Sequence, residues 1–159
     1  MTLGVVGLSL LLVLLFVVSA YMGGQRMQAG QQRAEVTRAK LYAAIALDDN
    51  LVRDMGELGA DGRLLQQRYQ QFVMAKEPEK ARRALSLSKA LEEQMKGTRT
   101  GSVRARQLEQ VVQHISSARM TYTYSVEEWA ASTQGLFGGV AIAMGFGVPP
   151  ESNAILPME

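Results

Sequence analysis

The run Leu3–Met22 constrains this chain more than any other stretch. Its twenty residues carry no charge and nothing more polar than Ser9, Ser19 and the Tyr21 hydroxyl. As a helix rising about 1.5 Å per residue, such a run reaches about 30 Å, the thickness of a bilayer's hydrocarbon core. A secretory signal has a basic start, an apolar core of about 7–15 residues and a small-residue cleavage site. Val18-Ser19-Ala20 would serve as the last of these, but no Lys or Arg precedes the apolar run and the run is longer. The expectation is a retained transmembrane anchor, with Gly23-Gly24 as its hinge.

The charges beyond this run are uneven. All 17 Lys and Arg lie between Arg26 and Arg119, among 11 acids, whereas residues 120–159 carry four Glu and no base. The basic segment is interspersed rather than blocked, as on a solvated helix surface, and it also suits anionic membrane lipid headgroups. Arg26, Arg33, Arg38 and Lys40 follow the span closely. Basic residues stay on the cytoplasmic side, which predicts the N-terminus outside and the following domain in the cytoplasm. With no Cys in the chain, disulfides, thiolate metal sites and thiol catalysis are excluded.

From Gln25 the pattern becomes helical. Leu41, Ala44, Ile45, Leu51, Val52, Met55 and Leu58 fall at helical spacing, and Asp48 shares that stripe. No Pro occurs from Met1 to Lys76, so span and first helix read as one rod, ended by Gly56, Gly59 and Gly62. A second helix is expected from about Gly62 to Lys76, burying Leu65, Tyr69, Phe72 and Val73. Pro78 interrupts it, and a further helical segment follows to about Met95, carrying Ala81, Ala84, Leu87, Leu91 and Met95. Lys96–Ser102 reads as a loop. A long helix then begins near Ser102 or Val103 and carries Leu108, Val111, Val112, Ile115, Ala118, Tyr122, Tyr124 and Trp129. Helices joined by short loops pack as antiparallel neighbours. The expected fold is all-α: an N-terminal transmembrane helix leading into an antiparallel bundle of three to four long helices.

The segment 135–148 is apolar and holds five glycines. Extended back to Trp129 it reaches twenty uncharged residues, the length of a span. Its low hydrophobicity favours packing on the bundle or at the membrane interface instead. Pro149-Pro150 stops helix, and Glu151–Glu159 reads as a frayed tail.

No catalytic constellation stands out. His114, the single His, has no acid or second His at ligand spacing, so it reads as a bundle-surface residue. Asp48-Asp49 and Glu127-Glu128 are adjacent pairs, about 100° apart on a helix, and cannot work on one face. The Gly-rich stretch lacks the Lys-Ser/Thr of a phosphate loop. Lys96, Arg99, Arg104 and Arg106 lack an aromatic platform, which argues against nucleic acid. No cofactor, metal or enzymatic role is expected.

At Ile115 a family resemblance begins. Ile115-Ser116-Ser117-Ala118-Arg119-Met120-Thr121-Tyr122 resembles the I-S-x-A-R-x-x-Y run of the LemA family of bacterial membrane proteins. The family's Y-N-x-x-V-x-x-Y-N continuation keeps Tyr122, Val126 and an aromatic at Trp129, while Thr123 and Ala130 replace both Asn positions. Gly145-Phe146-Gly147-Val148-Pro149 is similar to the family's G-F-x-P-like end. Upstream, Asn50-Leu51-Val52 resembles its N-L-V segment. The likeness extends over most of the chain in layout and over residues 108–150 in detail. It implies a single-span, helical, inner-membrane protein of no established enzymatic role, divided into an anchor (1–24), a LemA-like bundle (25–134) and a Gly-rich apolar segment with a flexible tail (135–159).

Ile115, Ala118, Tyr122, Val126 and Trp129 step by three or four and form one helix face, the natural seam of a bundle. Arg119 sits beside it, able to pair with an acid on a neighbouring helix such as Asp48 or Asp49, or to snorkel to water. The functional expectation is a membrane-anchored scaffold that forms a homo-oligomer or holds a membrane-protein partner. The alternative is a small two-span or holin-like pore element using both apolar segments.

Overall fold

The computed structural model describes residues 2–46, 60–97 and 103–146. Among these residues the protein is all-helical, with no strand. The helices are α1 (Thr2–Ile45), α2 (Ala60–Met74), α3 (Glu79–Gly97), α4 (Val103–Gln134) and α5 (Leu136–Ala143). The apolar run and the polar helical stretch after it are one continuous element, because no Pro or competing cap breaks the backbone ladder between them. The helix passes through Gly23-Gly24 without interruption. The stripe expected at Leu51, Val52, Met55 and Leu58, the motif residues Asn50 and Leu51, and Asp48-Asp49 lie outside the described residues.

The described residues divide into two compact units. Among the described residues the first holds α1 as far as Ala34 and the chain from Ser125 to Phe146. Its buried side chains on α1 are Ala20, Met27 and Ala34, seven residues apart, and Ser125, Val126 and Ala141 are buried in the same unit. A seven-residue repeat of small and flexible side chains is the spacing by which two helices stay in register over several turns. Ahead of these residues of α1 the same helix has no covered face. Leu8 and every residue from Leu10 to Val18 are exposed, with Leu10 and Leu14 at 66% and 63%. This helix alone among the described residues is long and apolar enough to cross a membrane.

The second unit holds residues from Glu35 to Tyr124. Here Leu41 and Ile45 of α1, Leu65 and Phe72 of α2, Ala81, Ala84, Leu87 and Leu91 of α3, and Val112, Ile115 and Tyr122 of α4 are buried. The four residues Ala75–Pro78 join α2 to α3, and the two helices pack as a hairpin. Pro78 stands immediately before α3, where a missing N–H and a preset φ do no harm. Glu79 in the first turn suits the positive end of the helix and pairs with Arg83 one turn on at 2.7 Å.

Several expectations are corrected. Val73 is 53% exposed, because Phe72 takes the inward position and its neighbour is turned about 100° away. Tyr124 is 69% exposed, because it stands two positions after the buried Tyr122 and so about 200° around the helix. Tyr69 and Met95 are half-buried at the margins of their stripes. The expected loop from Lys96 starts later, since α3 continues through Gly97. The uncharged stretch from Trp129 is divided between α4 and α5 by a break at Gly135, so α5 is only eight residues long.

Candidate functional site

The residues of the Ile115 motif sit in the middle and last third of α4. Ile115, Tyr122 and Val126 are buried, at 1%, 3% and 5% exposure, while Ala118 and Trp129 are half-buried. The inward period of the motif is therefore realised as packing. His114 is exposed, as its position between inward residues requires.

In the second unit, Arg119 pairs with Glu92 of α3 at 2.6 Å, in a partly buried, charge-assisted hydrogen bond. The acid, Glu92, is on a neighbouring helix as expected; Asp48 and Asp49 lie outside the described residues. No local pattern marks Glu92 over the adjacent Glu93. Only the packing of α3 beside α4 selects it.

The same unit contains a polar and aromatic cluster that helical periodicity does not reveal. The Tyr42 hydroxyl of α1 donates to Glu77 Oε1 at 2.7 Å, and Arg38 stands 3.7 Å from the other carboxylate oxygen. The Tyr42 ring meets the Phe72 ring of α2 edge-on at 5.7 Å. Lys80 of α3 places its ammonium 5.5 Å and 5.4 Å from the centroids of these two rings. Burial, then the hydrogen bond and negative charge of Glu77, push the Tyr42 phenol well above its ordinary range, against the opposing pull of Arg38. Burial also raises Tyr122, with Arg38 lowering and Glu77 raising it. These residues come from α1, the α2–α3 link, α2, α3 and α4, so no single helix face carries the cluster's signature.

A raised phenol has a definite consequence for stability. Below about pH 10 both phenols are neutral in folded and unfolded chains. Above it the unfolded chain loses these protons first, and the folded state loses stability as pH rises toward the folded values. Denaturation midpoints are expected to fall between pH 9 and pH 11, and by less in Tyr42→Phe. Urea titrations followed by circular dichroism at the two pH values check this. A midpoint that does not fall more in the parent than in Tyr42→Phe would contradict it.

In the first unit, Trp129 lies against Gly30, where an added Cβ would sit 3.2 Å from the Trp129 Cα. Its indole Nε1 is buried without a hydrogen-bond partner among the described residues, at a cost of about 1–3 kcal/mol. Close by in sequence, Arg33 pairs with Glu128 at 3.0 Å, with both side chains largely solvated. An exposed pair of this kind contributes little.

Among the described residues no group of three or more His, Cys, Asp or Glu is placed to hold a metal ion. Comparison with protein-family models, curated proteins and solved structures returns no match.

Proposed function

We propose that this protein is a membrane-anchored helical scaffold, resembling LemA family proteins, that self-associates or holds a membrane-protein partner at a bacterial inner membrane. It acts without enzymatic chemistry. The observation that carries the reading is the uncovered apolar surface of Leu8 and Leu10–Val18, which surrounds α1 over more than two turns. Contiguous apolar surface of this extent is unfavourable in water and ordinary in lipid. Arg26, Arg33, Arg38 and Lys40 follow it, which supports a cytoplasmic domain. In this reading the polar helices form an antiparallel bundle whose seam is the Ile115, Ala118, Tyr122, Val126 and Trp129 face. The bundle presents its solvated outer faces to a partner or a second copy.

Crosslinking in native membranes tests the scaffold. Adducts larger than the monomer, containing either a second copy or a reproducible membrane protein, are expected. A strict monomer with nothing co-purifying would overturn the scaffold reading while leaving the anchor intact.

A further inference from the structure

The short helix α5, Leu-Phe-Gly-Gly-Val-Ala-Ile-Ala, carries no charge. No charged residue occurs between Glu128 and Glu151. An uncharged helix of eight residues, about 12 Å long, cannot span a bilayer, so its position matters more than its length.

That position is set by two contacts with α1. A Cβ on Gly23 would lie 2.9 Å from the Phe137 carbonyl oxygen, and one on Gly24 would lie 2.7 Å from the Phe146 Cβ. The glycines therefore admit α5 and the residues after it to backbone distance. The Phe146 ring meets the Tyr21 ring edge-on at 6.4 Å. Phe146 reaches this place because α5 ends in a left-handed turn. Gly145 has φ +76°, its N–H bonds Ile142 O at 3.0 Å, and the Phe146 N–H bonds Ala141 O at 2.8 Å. This is the double-bonded helix stop in which the residue after the glycine folds back on the last turn.

All of these contacts fall between Tyr21 and Gly24, where the apolar run of α1 ends and Gln25 and Arg26 begin. Ala141 of α5 is fully buried. Phe137 and Met144, one turn before and after it on the same flank, are 56% and 43% exposed and border that contact. Tyr21 and Met22 are exposed on α1 at the same level. The exposed side chains of Phe137 and Met144 thus extend the uncovered apolar surface of the anchor at its polar end. Tyr21 accepts a hydrogen bond from Gln25 Nε2 at 2.9 Å, so its ring is directed at apolar neighbours and its hydroxyl at the polar turn. That is the arrangement of a tyrosine at a membrane boundary.

We propose that α5 is a second membrane contact, lying at the boundary between hydrocarbon and headgroups with Phe137 and Met144 among the lipids. Gly23-Gly24 holds it against the base of the anchor. The occupant of this exposed surface is the bilayer itself, because it is continuous with the anchor's own apolar surface and carries no charge to face water. The inference rests on α1 spanning the membrane.

The absence of Cys allows a clean test on the full-length protein. Single Leu12→Cys, Phe137→Cys, Met144→Cys and Tyr124→Cys variants carry a nitroxide label in phosphatidylethanolamine–phosphatidylglycerol vesicles. Collision with lipid-soluble oxygen is compared with collision with a water-soluble nickel chelate. The oxygen-to-nickel ratio is expected to be highest at Leu12, several-fold above the Tyr124 value at Phe137 and Met144, and lowest at Tyr124. All four positions are exposed, so labelling leaves the packing in place. If Leu12 is deep while Phe137 and Met144 match Tyr124, α5 faces water and the proposal fails with the anchor intact. If Leu12 also matches Tyr124, the anchor and the proposal fail together. If Phe137 and Met144 are shielded from both probes, protein covers them and the lipid contact is overturned.

Discussion

Replacing Leu11 and Leu14 together with Arg is expected to release the protein from the membrane. Both side chains are exposed, at 55% and 63%, so neither substitution removes a contact inside the protein. Each Arg near the centre of a span opposes insertion by about 2.5–3.5 kcal/mol, so the pair costs about 5–7 kcal/mol. At 1.4 kcal/mol per tenfold, this shifts the membrane-to-water distribution by a factor of at least about a thousand. The fraction resisting alkaline carbonate extraction reads the effect directly. Circular dichroism of the released protein should keep the helical signal of the parent, because the exposed face supplies no packing. A variant that stays carbonate-resistant would show that α1 is not what holds the protein in the membrane.

The second large effect is expected at Ile115. Its side chain is 1% exposed and is among the largest fully buried side chains of the second unit. Ile115→Ala removes buried methyl groups and leaves a cavity, at a cost of about 2–5 kcal/mol. Against a typical domain stability of about 5–15 kcal/mol, that is a large share. The urea midpoint in detergent micelles should fall accordingly, with the slope unchanged. Tyr124→Ala is the control, since a residue 69% exposed should move the midpoint by less than about 0.5 kcal/mol. Equal effects at the two positions would mean that the motif face is not the buried face in solution.

Much of the fold can be read from short-range pattern. The long apolar helix shows in an uninterrupted apolar run, and its fusion with the following polar stretch shows in the lack of any Pro. The inward residues of α3 and α4 show in three- and four-residue steps, and Ala84, Leu87, Leu91, Ile115 and Tyr122 are indeed buried. The same reasoning loses resolution at stripe edges. Val73 and Phe72 are both apolar and adjacent, and a one-residue rotation decides which is inward. Helix ends are similarly underdetermined, as the extension of α3 to Gly97 illustrates.

The remaining features depend on which helices meet. Arg119 carries its charge wherever it lies, but its pairing with Glu92 exists only because α3 packs beside α4. Tyr42, Glu77, Arg38 and Lys80 are ordinary surface residues in sequence, and bringing them together needs two helices and a link. The glycines near residue 23 read as a hinge by composition, yet their contacts with Phe137 and Phe146 make them a docking surface in an unbroken helix.

By itself the sequence determined that this chain is helical, that its first helix is long and apolar enough for a bilayer, and which face of α4 turns inward. These properties follow from hydrophobic period and local backbone preference, which act within a few residues. The tertiary structure alone decided the partner of Arg119, the burial of the Tyr42 phenol and the placement of α5 at the polar end of the apolar run of α1. Each of these depends on contacts between residues far apart in the chain, whose geometry is set when helices pack rather than when they form.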